Sequence, residues 1–541
     1  MRSGSAPDAA PWIALVALGI AAAVLALISL GDLPLRDFDE ATVARVALEL
    51  RHGLGEAPLL PTIWGQPYLN KAPGLHSLIA LVIAATTGPD QLPSEWTIRL
   101  APALLSCLVV PLGGWLQWTL RPGDRSSALA TSVILLTLLP VARHGRLAML
   151  DGAQLTVMAV LWLGLLKLSL SRCSALWGAV AGLMASAMLL LKAPLLVPAA
   201  AAAGLALTWG QEWRNWNNRT AALGGMLLGL APGIGWHLWH AHVRGSQALW
   251  LWWGDGAGRV LLAAGEGSDL GWRVPMIEIL EGGWPWLPLV PFALVWAWRW
   301  RQSRWGRWCL TCMLTLAGAI LPLRTQLPWY SHPLWLPIAL LCAPLVVWLV
   351  DQSSYSSLGS ALKKPSPPYR WLLLRLPWFW WGLGLVLLLL TAGSFSTLGS
   401  ALTPYRGLAA VLGLGWCIGG WWLRSTEHQR RRLGVIILSS GNIAVLALLF
   451  QSPLWIWELN ESWPVQPVAA LTKESDGKEI KLKGYEERPS LNWYAERKIP
   501  RLHGGAGLRL SDKPQGNCKI KKRTGTWTLA NCEQHEKTED S

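Results

Sequence analysis

Three carboxylates, Asp37, Asp39 and Glu40, stand within four residues, shortly after an uncharged apolar run from Pro11 to Gly31. Further ionisable groups recur beside apolar runs: Lys71 in GQPYLNKAPG, Arg143, Arg146 and Asp151 in RHGRLAMLD, and Lys192 in LLLKAP. Arg259 in GDGAGRV and Arg324 in LRTQLPWY complete the set. Charge close to hydrocarbon is costly, so such groups are functional candidates by default. Arg grips a phosphate as a bidentate fork and Lys as a point charge. A carboxylate beside them takes a proton from an acceptor, or positions it. Together these types suit a lipid-linked phosphate whose isoprenoid tail lies among helices.

Each residue also has a plainer reading. ATVARVALELRHG reads as a helix that Asp39 would cap, and Asp151 would cap another. Lys71 is either a phosphate ligand or a lysine snorkelling to the interface. Arg143 and Arg146 either pair with Asp151 or face headgroups, and Lys192 either binds phosphate or marks a turn. His237, His240 and His242 in HLWHAH have metal-like spacing, but beside tryptophans at a helix end they read as interfacial. Cys309 and Cys312 form a CxxC with no second pair, which does not make a zinc site. Cys518 and Cys532 lie in the polar tail, where an oxidising compartment would allow a disulfide. No GxxxxGK[ST] or GxGxxG occurs, so nucleotide binding has no motif.

The elements that carry these groups are membrane helices. Of 541 residues, 52% are apolar and only 15% charged, and the mean hydropathy is +0.33. Apolar runs of about 17–25 residues repeat, the length that crosses ~30 Å of hydrocarbon. Thirteen spans are expected: 11–31, 97–120, 126–142, 152–170, 174–191, 193–209, 220–240, 284–300, 306–323, 328–350, 371–392, 404–423 and 433–451. The run 75–87 is too short to cross and reads as interfacial or re-entrant. With the N-terminus inside, the six cytoplasmic loops 121–125, 167–173, 210–219, 299–307, 351–370 and 424–432 are all basic, as the positive-inside rule requires. That rule also accounts for the net charge of +15 without a nucleic-acid partner. The first apolar run reads as a retained helix, because no small-residue cleavage site follows it. Outside lie the first loop 32–96, a central loop 241–283 and the tail 452–541. The expected organisation is a transmembrane domain, 1–451, followed by a small extracytoplasmic α/β domain, 452–541.

The stretches RDFDEATVARVALELRHG, PTIWGQPYLNKAPGLHSLIALVIAATTG, EWTIRLAPALLS and GRLAMLDGAQLTVMAVLWL resemble the aminoarabinose transferase (ArnT-like) branch of the GT-C glycosyltransferases, relatives of the protein mannosyltransferases. The likeness continues through LLLKAPLLVP, GGWPWLPLVPFAL and LPWYSHPLWLPIALL to GYEERPSLNWYAERKIP in the tail. It thus covers essentially the whole chain, and its most specific parts are the first-loop D-E pair and the Y-x-x-K-x-P that begins at Tyr68. The resemblance implies a GT-C fold and a polyprenyl-phosphate sugar donor, such as an undecaprenyl-phosphate sugar, used on the periplasmic face of the inner membrane. It implies Asp39 as the central acid with Glu40 as helper, and Asp151 as the second-loop acid. It implies Lys71, Arg259 and Tyr330 as donor-phosphate ligands; Tyr68, Arg146 and Lys192 are further candidates from the residues themselves. Two positions depart from the family pattern: Asn70 stands where Glu often precedes the lysine, and Asp255 where His precedes the central-loop arginine. No obligatory metal is therefore expected, although Asp39 and Asp255 still offer oxygen ligands.

The implied reaction is displacement at the anomeric carbon, with Lys71 and Arg259 stabilising charge on the departing phosphate. Asp39 is the base if the acceptor is a hydroxyl, and a positioning group if it is a lipid phosphate. The acceptor is a lipid or glycolipid of the envelope, or alternatively a protein Ser/Thr hydroxyl or a polysaccharide. A transporter or flippase would call for charges at helix centres and repeated halves, and neither is present.

Overall fold

The computed structural model describes residues 10–53, 59–216, 218–253, 273–323, 326–351, 367–455, 464–475, 477–502, 507–513 and 518–532. The chain divides into two units. The first comprises residues 1–29, 69–75 and 100–453, and the second 30–68, 76–99 and 454–541. Most of the first loop thus falls in the same unit as the tail.

In chain order the early helices are α1 (Trp12–Leu27), α2 (Asp39–His52), α3 (Gly74–Thr86) and α4 (Glu95–Cys107). Then come α5 (Val109–Leu120), α6 (Arg125–Thr137), α7 (Leu139–Gly145), α8 (Leu150–Leu168) and α9 (Ser174–Lys192). They are followed by α10 (Leu196–Trp209), α11 (Arg219–Arg244), α12 (Arg273–Gly282), α13 (Val290–Arg299) and α14 (Arg304–Ile320). The bundle closes with α15 (Trp335–Val350), α16 (Pro367–Gly393), α17 (Arg406–Leu423) and α18 (His428–Phe450).

Eight helices among the described residues are long and apolar enough to cross a membrane, or nine if the bent pair α6–α7 is one span. The thirteen expected spans differ from this count for physical reasons. The run 126–142 bends by 61° between α6 and α7, where Leu138 is extended and Pro140 sits in the first turn of α7; a proline there cannot continue the preceding ladder. The helices α1, Leu287–Arg299 and α14 are only 16, 13 and 17 residues long, at or below the short end of the spanning range. The stretch Ser174–Trp209 is helical almost throughout, yet it folds back at Lys192, whose φ of −139° and ψ of 82° leave the helical basin.

Contacts along neighbouring helices show this reversal. The α8 backbone at Gly164 meets Ala181, and Gln154 Nε2 donates to the Lys192 carbonyl, so α8 and α9 are antiparallel. Trp162 Nε1 donates to the Ala199 carbonyl and Ser169 Oγ to Glu212, so α10 runs back alongside α8. Next, α11 runs parallel to α9, with Gly178 against Ala222 and Gly182 against Met226, and with His237 Nε2 donating to the Leu189 carbonyl. A Cβ on Gly182 would fall 2.1 Å from the Met226 carbonyl oxygen, and one on Gly229 2.3 Å from that of Ala179. Such small-residue seams let helices approach where apolar burial cannot drive association in lipid.

The basic loops gather at one end of this bundle. Glu212 accepts from Arg307 Nη2 at 2.9 Å, Arg304 Nε at 3.2 Å and Ser169 Oγ at 3.3 Å. Arg121 lies over the Trp305 ring, and Arg431 Nε donates to the Val350 carbonyl. Asp151 and Lys192 stand at the opposite ends of α8 and α9.

The second unit holds α2, the hairpin β1 (Thr62–Ile63) and β2 (Gln66–Pro67), most of α3, the start of α4, and the tail. The tail carries α19 (Val465–Leu471), β3 (Ile480–Leu482), α20 (Pro489–Tyr494), β4 (Gly507–Ser511), β5 (Lys519–Thr524) and β6 (Trp527–Cys532). Its sheet has the order β3-β4-β6-β5, parallel only between β3 and β4. The residues Leu508, Leu510, Trp527 and Leu529 pack into one core with Val468 and Leu491. Cys518 and Cys532 are joined by a disulfide beside the β5–β6 pairing.

Candidate active site

In the first unit, Asp151 opens α8 and Lys192 closes α9. The antiparallel packing of these helices brings Lys192 Nζ to 3.0 Å from Asp151 Oδ1. Both side chains are largely buried, and Nζ also lies 4.8 Å from the centre of the Tyr330 ring. All three line a cavity of about 560 Å³ whose remaining walls are mainly apolar, among them Val197, Leu249, Trp252 and Leu323. A pocket of this size with few convergent polar groups is typical of small-molecule sites. A lysine on its wall can meet an anion, and the apolar walls can take a hydrocarbon chain.

The segment carrying Lys71 belongs to the same unit. A Cβ on Gly74 would fall 2.6 Å from the Leu190 carbonyl oxygen, so only glycine lets this segment lie against the last turn of α9. Lys71 itself is half-buried and is not among the residues lining the cavity. Arg146 is fully buried, donates to the Ile28 carbonyl and stacks its guanidinium over Phe450. It therefore ties the ends of α1 and α18 to the bundle. Arg143 is buried as well. Arg259, Asp255 and Arg324 lie outside the described residues.

Sequence reasoning passed over two histidines behind this site. His332, two residues after Tyr330, is 1% exposed, and its ring centre lies 5.8 Å from that of His144. His144 Nδ1 is 3.8 Å from a carboxylate oxygen of Glu278 on α12. The signal was present in WYSHP and RHGR, where each histidine stands within two residues of one already singled out.

In the second unit, the three carboxylates of the first loop separate into different roles. Asp37 is buried, accepts from Arg488 Nη1 at 3.0 Å and takes both the N–H and the hydroxyl of Ser490. Glu40 is fully buried, and both its oxygens accept from Arg99 at 2.8 Å. Arg99 also donates to the carbonyls of Leu30, Leu33 and Pro34, so the pair fastens the whole loop. Asp39 lies between these anchors and is half-buried at the start of α2. The residue before it, Phe38, has φ 61° and ψ −68°, and the Asp39 N–H donates to the Asp37 carbonyl at 2.8 Å. This is a γ-turn of the rare, strained hand. Strain of this kind persists where the surroundings over-determine it, and it concentrates at functional sites.

Tyr68 is buried, with its ring 5.7 Å from that of His76. Burial and the charge of Asp39 push its phenol well above the usual range, so it stays protonated. Asn70 is exposed. Among the described residues, no group of three or more His, Cys, Asp or Glu is arranged to hold a metal ion. His237 and His240 instead pack against Trp236.

No family model matches the sequence, and no curated protein matches it significantly. Among solved structures, the chain is similar to ArnT from Cupriavidus metallidurans bound to undecaprenyl phosphate, with a TM-score of 0.69 at 15% identity over 95% of this chain and 97% of that one. The apo state of the same protein gives a TM-score of 0.66 with the same identity and coverage. An Archaeoglobus fulgidus oligosaccharyltransferase superposes more loosely, with a TM-score of 0.48 at 9% identity over 89% of this chain and 63% of that one. What this chain shares with the two ArnT structures is its architecture, the polytopic helical GT-C fold.

Proposed function

We propose that this chain is a membrane glycosyltransferase that moves a sugar from a polyprenyl-phosphate donor to a lipid or glycolipid acceptor of the cell envelope. The observation that carries the reading is the Asp151–Lys192–Tyr330 group on a largely apolar cavity. Lys192 offers the phosphate a positive charge, Asp151 holds that lysine in place, and the apolar walls suit an isoprenoid. The fold shared with a protein bound to undecaprenyl phosphate supports the same ligand class.

In the proposed reaction an acceptor oxygen attacks the anomeric carbon, and the bond from that carbon to the phosphate oxygen breaks. The phosphate departs with the additional negative charge, which Lys192, with Lys71 and Arg259 by family resemblance, would offset. By family resemblance, Asp39 takes the proton if the acceptor is a hydroxyl, and the strained turn before it supports a functional position. Glu40 acts through structure rather than through substrate, because Arg99 holds both its oxygens.

The proposed setting is the inner membrane, with the N-terminus cytoplasmic and the C-terminal domain periplasmic. The gathering of basic loops at one end of the bundle and the tail disulfide both support this. A binding experiment tests the donor site. Protein in nanodiscs should bind undecaprenyl phosphate, and Lys192→Ala should weaken that binding about tenfold, as loss of a charged phosphate contact implies. Unchanged affinity in the variant would remove the cavity from the account.

A further inference from the structure

The tail motif GYEERPSLNWYAERKIP does two separate things in the second unit. Arg488, Ser490 and Tyr494 hold the first loop, through Asp37 and through the Leu35 N–H, which donates to the Tyr494 hydroxyl at 2.6 Å. Tyr485, Glu486 and Arg488, with Gly484 and Arg501, also line a solvent-reaching cavity of about 360 Å³. The remaining wall is Phe38, the residue of the strained γ-turn next to Asp39. None of the reaction chemistry above uses this cavity.

Its lining points to a ligand class. The two guanidinium groups are matched by carboxylates, Arg488 by Asp37 and Arg501 by Glu486. An anion entering the cavity would meet Glu486 and gain little. A polyol both donates and accepts hydrogen bonds, so neighbouring guanidinium and carboxylate groups suit its hydroxyls. Two aromatic faces complete the pattern. The Tyr485 ring is braced by Trp527, 5.4 Å away between centres, and its hydroxyl donates to Asp512 at 2.5 Å. The Phe38 ring is 36% exposed, an apolar surface held outward by a backbone conformation that non-glycine residues rarely adopt. Rigid aromatic faces beside paired donors and acceptors are the chemistry of sugar recognition.

We infer that this cavity is a saccharide-binding subsite that seats a sugar ring of the acceptor beside the Asp39 turn. The inference rests on the transferase reading for its role, but not for its binding chemistry. Full-length protein in nanodiscs would be titrated with free hexoses, hexosamines and uronic acids, and with inorganic phosphate, read by saturation-transfer NMR. At least one sugar should receive saturation at its ring protons. Tyr485→Ala and Arg501→Ala should each weaken that binding about tenfold, the scale of a lost charged hydrogen bond or aromatic contact, while Tyr485→Phe retains it. Thermal unfolding of each variant provides the control for folding, and Arg501, being half-exposed, is the substitution least able to disturb it.

Absence of binding by every sugar, wild-type affinity in both alanine variants, or displacement of the sugar by phosphate would each overturn the subsite. Sugar binding with no glycosyl transfer from any donor would uphold the subsite and remove the transferase reading. Transfer with an unchanged acceptor KM in both variants would do the reverse.

Discussion

Asp39 stands between two neighbours held by buried hydrogen bonds. Asp37 is bonded to Arg488 and Ser490, and Glu40 to Arg99, so both flanks of the γ-turn are anchored. Two substitutions in adjacent positions should therefore behave differently. Asp39→Asn should abolish transfer while membrane insertion and thermal unfolding stay as in the wild type. Glu40→Gln should leave Arg99 buried without its counter-charge, costing about 3–5 kcal/mol in an unfolding titration, as for other broken buried pairs. Near-normal turnover by Asp39→Asn would remove Asp39 from the chemistry, and an unperturbed Glu40→Gln would remove Glu40 from the scaffold. The sequence showed three carboxylates side by side and could rank them only by family resemblance. Their partners lie 59 residues away for Glu40 and 451 for Asp37, distances over which no local pattern carries information.

Local patterns did carry the elements. Apolar length and basic loops outlined the bundle, and the break at Lys192 was legible as a charged residue before Ala193-Pro194 between two apolar runs. The bend at Leu138 was not read, although Pro140 announced it, because the hydropathy of 126–142 runs on without a gap. The seam between α9 and α11 was also missed: Gly178, Gly182, Gly225, Gly229 and Gly233 recur at intervals of four on each helix, and only the structure shows them facing carbonyl groups. A side chain there has no room. Gly182→Val should separate the two helices and cost about 1–3 kcal/mol, the usual penalty of overpacking, seen as a lowered Tm in detergent. A Tm equal to the wild type would mean that the seam does not hold the pair. Because α9 ends at Lys192, the same variant should also raise the KM for the donor.

Taken whole, the molecule divides in a way the composition only half revealed. The change from apolar to polar near residue 452 marks where the tail begins, and its stretches KEIKLKGY and TGTWTLA alternate as strands do, where β3 and most of β6 form. That the first loop folds with this tail was not legible, since it depends on buried pairings between residues hundreds of positions apart. The Cys518–Cys532 bond closes a short loop with a separation of 14 residues. Its removal should cost about 3 kcal/mol by the chain-entropy estimate for such a loop. Cys518→Ser with Cys532→Ser should therefore unfold the tail at lower temperature, measured by proteolysis of the intact protein. Unaltered protease resistance would show that the sheet stands without the bond.

The most direct test of the central claim is transfer by the purified, reconstituted protein, supplied with a panel of undecaprenyl-phosphate sugars and native envelope lipid and read by mass spectrometry. The expected product is an envelope lipid heavier by one sugar residue, formed with matching release of undecaprenyl phosphate and absent in Asp39→Asn. Donor left intact with every sugar and every acceptor, lipid and protein alike, would contradict it.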